Sequence, residues 1–233
     1  ASAAFLLIGA MSGAMAQSNP ERERDLLMAA ERGEIVAVRE LVRDGARINW
    51  RDHRGRTPLL AATQRNRIDV ARFLIQEGAD VNAKDTIQDT PFLYAGAEGR
   101  TEILKMILGA GPNLKDTNRF GGTALIPAAH RGHVETVKLL LTTAIDKDHV
   151  NNLGWTALIE SIVLGDGGKR HVATLKALVE AGANVTIADR GGTTPLMLAK
   201  RRGFTEMVAI LEKAGARCIV MEIPRVRFFS AFS

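Results

Sequence analysis

Apolar residues along this chain come in short blocks separated by links rich in Gly, Asp and Asn, and one block shape returns at a fixed interval. It reads TPLL from Thr57, TPFL from Thr90, TALI from Thr123, TALI from Thr156 and TPLM from Thr194. The first four Thr stand 33 residues apart and the last step is 38. A degenerate copy, RDLL, begins at Arg24. Nine residues into each block comes Gly33, Asn66, Gly99, Gly132, Gly165 or Gly203. A second series follows at Gly45, Gly78, Gly111, Ala144, Gly182 and Gly215.

These positions predict paired short helices. A Thr hydroxyl accepts one of the free backbone N–H groups at a helix start, and Pro is tolerated in the first turn, where its missing donor costs nothing. Gly ends a short helix in the left-handed conformation, and Asn is its best substitute. A second apolar-periodic segment follows, such as IDVARFLI from Ile68 or VETVKLLL from Val134, and the next Gly stops it. Each unit is therefore two antiparallel helices and an extended turn such as GADVNAKD from Gly78. One pair cannot bury its apolar face, but stacked pairs share a continuous core. The expected fold is an all-α solenoid of about six units. The segments are 17–52 (an N-terminal cap with the polar first helix ERERDLLMAAERG), 53–85, 86–118, 119–151, 152–189 with a five-residue insertion, and 190–216.

The period, the TPL openings, HRGHVETVKLLL and GADVNAKDTIQDTP resemble ankyrin repeats over nearly the whole chain. The resemblance implies projecting turns, or fingers, which with the first helices line a concave face that binds another protein. It implies no catalysis and no cofactor. The fourth position of the opening, commonly His in that family, is here Leu60, Leu93, Ile126, Ile159 and Met197, so apolar packing is expected in place of that His's hydrogen bonds. Ala144 replaces a stop glycine, and TTAIDKDHV is expected to connect irregularly.

On this register the finger tips are Arg54, Ile87, Phe120, Leu153 and Gly191, with Trp155 beside the fourth and Arg190 at the last. Three successive apolar tips are unusual for solvated turns, and an exposed apolar stripe marks an interaction surface. The alternative is that Ile87, Leu153 and Trp155 fold onto neighbouring turns and hold the fingers together. The groove side adds Tyr94 and Glu160 four residues into their blocks, with Gln64, His130 and Arg201 at seven and Arg65, Glu98, Arg131 and Arg202 at eight. The expected partner-binding set is Arg54, Ile87, Tyr94, Phe120, Arg131, Leu153, Trp155, Glu160 and Arg190.

The insertion reads GDGGKRH from Gly165. It is no Walker loop, because Lys169 is followed by Arg170 rather than Ser or Thr, Val163 stands where the first Gly belongs, and a helix rather than a strand precedes it. Gly167, Gly168, Lys169 and Arg170 ahead of a helix start remain a candidate anion loop, against the plainer reading of a solvated loop extension. An enzyme or small-ligand binder working through Asp166–His171 is the least favoured function. The five His lack a third ligand with metal-site spacing. Ser161 lies on a predicted helix, outside any GxSxG turn. Asp52, Asp85 and Asp189 recur at turn positions and read as turn makers.

Composition adds limits. The chain has 233 residues, 31 Lys plus Arg against 26 Asp plus Glu (net +5), and 5% aromatics. That surplus is mild and scattered, and the aromatics are too few for a base-stacking platform, so nucleic acid is not an expected partner. Residues 3–16, AAFLLIGAMSGAMA, have the apolar core and small-residue cleavage site of a secretory signal, with cleavage expected after Ala16. They lack a basic front end, so the given sequence is expected to begin inside the signal. No other stretch approaches membrane length. Cys218 is alone, so no internal disulfide forms. The expected protein is a monomeric, non-catalytic scaffold, periplasmic or secreted, with an exported effector acting on a host or rival protein as the alternative. The tail 217–233, with Phe228, Phe229 and Phe232, is expected to cover the last unit, or else to bind separately.

Overall fold

Six helix pairs follow one another along the chain in the computed structural model, which describes residues 19–217. The expected signal with its cleavage after Ala16, and the tail from Cys218 onward, lie outside the described residues. The pairs are α1 (Pro20–Arg32) with α2 (Ile35–Arg43), α3 (Pro58–Gln64) with α4 (Ile68–Gln76), and α5 (Pro91–Ala97) with α6 (Thr101–Gly109). They continue with α7 (Leu125–His130) and α8 (Val134–Leu141), α9 (Ala157–Val163) and α10 (Lys169–Glu180), and α11 (Pro195–Arg201) and α12 (Thr205–Lys213). No strand occurs among the described residues.

The first helices stack on one another in one row and the second helices in a second row, with the core between them. Leu26, Leu59, Phe92, Leu125, Leu158 and Leu196 enter it from the first row. Val38, Leu74, Leu104, Leu140, Leu178 and Leu211 meet them from the second. Small residues let the first helices approach closely. A Cβ on Gly96 would sit 2.8 Å from the Cβ of Ala124 in the next unit.

The opening Thr do cap their helices. Thr57, Thr90, Thr156 and Thr194 accept from the backbone N–H of Leu60, Leu93, Ile159 and Met197 at 3.2, 3.0, 3.2 and 3.3 Å. Leu60, Leu93, Ile126 and Ile159 are buried, so this position contributes packing rather than an imidazole bond. Thr123 departs from the pattern. In the other four units the carbonyl of the Thr accepts from the N–H four residues on: Ala61, Tyr94, Glu160 and Leu198. The equivalent residue in the fourth unit is Pro127, which has no N–H to give. The Thr123 carbonyl takes the Ile126 N–H at 3.2 Å instead, α7 starts one residue late, and the buried Thr123 hydroxyl is left without a partner.

Two further departures follow from local chemistry. No residue near Ala144 takes the left-handed conformation, and α8 ends at Leu141. The Thr142 and Thr143 hydroxyls donate to the Leu139 and Leu140 carbonyls at 2.7 and 2.6 Å, covering helix-end acceptors without a glycine. The connection is irregular, as its sequence implies. In the fifth unit Gly165 is not the left-handed stop; Gly167 is, with φ of 71°. Lys169 and Arg170 do not lie in a loop but form the first turn of α10, with Gly168 as its cap residue. The insertion thus lengthens both the turn and the second helix.

Candidate protein-binding groove

Each finger is built by one side chain. Asp52, Asp85, Asn118, Asn151 and Asp189 all stand five residues before an opening Thr. The Oδ1 of each accepts two backbone N–H groups, two and four residues further on. These are Arg54 and Arg56, Ile87 and Asp89, Phe120 and Gly122, Leu153 and Trp155, and Gly191 and Thr193, all at 2.8–3.1 Å. The tip is therefore always the residue two past the acid or amide, and its side chain is carried on a fixed backbone. Neighbouring fingers are tied by Thr86 N–H donating to the Arg54 carbonyl (2.9 Å) and Asn152 N–H to the Phe120 carbonyl (3.0 Å).

The apolar tips stay in solvent: Ile87 is 42% exposed, Phe120 54% and Leu153 51%. Trp155 is half-buried. Arg54 and Arg190 are exposed, the latter lying across Gly154 of the preceding finger. Below the tips a cavity of about 320 Å³ opens on the concave side of the third to fifth units. It brings together Tyr94, Phe120, Arg131, Leu153 and Glu160, and leaves Arg54, Ile87, Trp155 and Arg190 outside its lining. Asp89, Arg119, Pro127, His130, Asn151 and Leu164 are also in the wall.

The charges in this wall are of two kinds. Arg131 is ion-paired with Glu98 of the preceding unit, so it braces two repeats rather than standing free. The exposed guanidinium of Arg119 lies 4.7 Å from the centroid of Phe120. Asp89 and Glu160, by contrast, meet no Lys or Arg within ion-pair distance among the described residues. Glu160 accepts from Asn151 Nδ2 at 2.7 Å through one oxygen, and its other oxygen lies 3.8 Å from His130 Nδ1. Burial pushes its carboxyl up to about 7, and the Asn151 bond offsets part of that. Asp89 is pushed up to about 6 by burial and then by the like charge of Asp85, with Arg119 opposing. The first finger shows the contrast, since Arg56 takes the equivalent place and pairs with Asp52 at 2.9 Å. Burial, then Arg131, hold His130 below the usual imidazole range, and burial raises the Tyr94 phenol.

The candidate anion loop is differently arranged. Asp166 Oδ1 takes the Gly168 N–H at 2.8 Å and lies 2.7 Å from His171 Nδ1. Arg170 donates to the Arg131 carbonyl at 2.7 Å and His171 Nε2 bonds the His130 carbonyl at 2.8 Å. The protein's own carboxylate fills the place an anion would take, and the nearby groups fasten the fifth unit to the fourth. Ser161 is buried in α9 and donates to the Leu158 carbonyl. His149 bonds the Gly121 carbonyl at 2.7 Å. Among the described residues no group of three or more His, Cys, Asp or Glu is placed to hold a metal, and no helix is long and apolar enough to cross a membrane.

Sequence reasoning did not single out Asp89, Asn151 or Pro127. The first two had a signal, since Asn151 keeps the register of the turn-making acids and Asp89 places a second acid in the finger of Asp85. Pro127 stood where a helix donor was required.

Stacked helix pairs with backbone-pinned fingers above a groove define a helical repeat solenoid. The family model for ankyrin repeats (three copies) matches residues 2–85 and 92–189, and the chain belongs to the ankyrin repeat family. A crystal structure of an ankyrin repeat domain from Acinetobacter baumannii is similar with a TM-score of 0.80 and 50% identity, covering 82% of this chain and 98% of that one. The ankyrin repeat domain of Bcl-3, a member of the IkappaB family, is similar with a TM-score of 0.74 and 28% identity, covering 83% and 86%. The Escherichia coli ankyrin repeat protein YahD is 47% identical over 57 residues, 24% of this chain and only 28% of that protein. Ankyrin repeat proteins are in general non-enzymatic scaffolds that bind other proteins.

Proposed function

We propose that this protein is a non-catalytic scaffold that holds a partner protein in the groove of its third to fifth units. The carrying observation is Phe120, 54% exposed on a finger whose backbone is pinned by Asn118, above a cavity edged by Leu153 and Tyr94. An aromatic anchor over a concavity with a polar rim is the arrangement that concentrates binding energy. The apolar stretch 3–16 supports action in the bacterial periplasm or beyond the envelope, and the proposed scaffold is a monomer.

The test is affinity capture from an envelope fraction with the full chain and with Phe120→Ala. The variant is expected to weaken the captured partner by about 1–3 kcal/mol at an unchanged melting temperature. Equal capture by both proteins refutes the assignment of this face. Export is tested separately by fractionating cells that express the protein from its native start; a purely cytoplasmic product refutes the location.

A further inference from the structure

The groove has a charge pattern that its own side chains do not complete. At its fifth-unit end lies Glu160, whose side chain is only 8% exposed, with one oxygen hydrogen-bonded to Asn151 and the other 3.8 Å from the Nδ1 of His130, an imidazole that burial and Arg131 hold below its usual range. At its third-unit end lies Asp89, which forms no ion pair among the described residues. Between them Phe120, Ile126, Pro127 and Leu153 give the wall an apolar strip, edged by polar groups such as Asn118 and Asn151. Of the two arginines in the wall, Arg131 is paired with Glu98, and Arg119 lies on the face of Phe120 while opposing the raised proton affinity of Asp89. The result is an acidic, apolar, acidic sequence along the groove of a chain whose net charge is +5.

A buried carboxylate without a counter-ion is a costly arrangement unless something supplies the charge. Two units stacked at helix-packing distance separate the two acids by on the order of 20 Å. An extended chain covers that length in about six residues. We propose that the groove receives an extended segment of the partner protein in a basic–apolar–basic pattern, one Lys or Arg meeting Glu160 and a second meeting Asp89, with apolar side chains against Phe120 and Leu153. This rests on the protein-binding reading above and names the chemistry of the bound segment. A long basic side chain suits the Glu160 end, because its methylenes lie along Leu153 and Leu164 while its charge reaches the buried carboxylate. Phe120 already carries a guanidinium on its face, so the ring accepts cationic neighbours. Both carboxyls hold their protons more tightly than usual, and a bound cation reverses that by drawing the proton off.

A random dodecapeptide library displayed on phage is panned against the full chain, Phe120→Ala, Glu160→Gln and Asp89→Asn, with the fold of each checked by circular dichroism. Peptides that bind the parent protein but not Phe120→Ala are expected to carry paired Lys or Arg about six residues apart, enriched several-fold over the starting library. Glu160→Gln is expected to lose the enrichment at one of the two positions and Asp89→Asn at the other. Phe120-dependent peptides that are acidic or uncharged, or a basic pattern unchanged in both carboxylate variants, overturn the proposal and leave the protein-binding reading standing. A library that yields no Phe120-dependent peptide overturns both.

Discussion

Glu160 offers a stability test that needs no partner. In the unfolded chain a glutamate titrates near 4.5, whereas in the groove this carboxyl is raised to about 7, chiefly because burial penalises its charge. Between those two values the native state holds a proton that the unfolded state has released, so stability falls as pH rises through this window. The full difference corresponds to about 3.4 kcal/mol at 1.36 kcal/mol per pH unit, and water entering the open groove reduces the expected effect to about 1–2 kcal/mol. Glu160→Gln removes the titration while keeping an acceptor for Asn151 Nδ2. His130, the ionisable group nearest the carboxylate, is held below its usual range and stays largely neutral at pH 7 and above, so it supplies no compensating charge. The variant should stay within about 0.5 kcal/mol of the parent protein at pH 5, where the window has just opened, and exceed it by about 1–2 kcal/mol at pH 8. Asp89 titrates in a neighbouring window but is common to both proteins and cancels in the difference. Urea unfolding followed by far-ultraviolet circular dichroism, at half-unit steps from pH 5 to 8, gives the comparison. An identical difference between the two proteins at both ends of the range refutes the reasoning.

Other substitutions test the frame. Gly96→Ala brings a Cβ to 2.8 Å from the Cβ of Ala124 and 3.1 Å from its carbonyl oxygen. The helix-propensity gain of about 1 kcal/mol is expected to be outweighed by overpacking of about 1–3 kcal/mol, so the melting temperature should drop; a rise refutes the close approach. Gln88 sits at φ of 66° in the Ile87 finger, where the neighbouring fingers use glycine. Gln88→Gly should relieve about 1 kcal/mol of backbone strain, partly offset by the greater freedom of unfolded glycine, for a net gain of about 0.5 kcal/mol. A lower urea midpoint for that variant would count against strain at this position.

Most of the architecture was legible because the same cap, stop and turn residues recur at fixed spacing, and each imposes its backbone locally. Where a local rule met a second constraint, the first reading ran out. Thr123 carries the same cap signature as Thr156, yet Pro127 removes the donor its carbonyl needed and the cap fails. The five inserted residues could be placed between two helices, but not divided between turn and helix, because Lys169 and Arg170 suit either. The tips were legible for the same reason as the caps: the register of the turn-making acids fixes them. The groove's charge was not. Glu160 is an ordinary polar residue in the sequence, and its raised affinity for a proton comes from units that stack over it.

The basic residues of the repeats bear on where the proposed recognition falls. In register they resemble a polar rim, and Arg131 was read that way. Their hydrogen bonds lead elsewhere. Arg65 pairs with Glu31 at 3.0 Å, Arg131 with Glu98, and Arg202 donates to the Val163 and Gly165 carbonyls at 2.7 and 2.9 Å. Each link joins one unit to the unit before it, as His171 and Arg170 also do in the fifth. An exposed pair of this kind contributes at most about 1 kcal/mol to stability, but repeated along a solenoid it sets the angle between neighbours. Groups committed to that task are poor candidates for exchange with a partner, because binding would have to break what holds the groove open. The side chains of Phe120 and Leu153 at the tips and of Asp89 in the wall form no such link among the described residues, and with Glu160, bonded to Asn151, they are the groups on which the proposed selectivity rests.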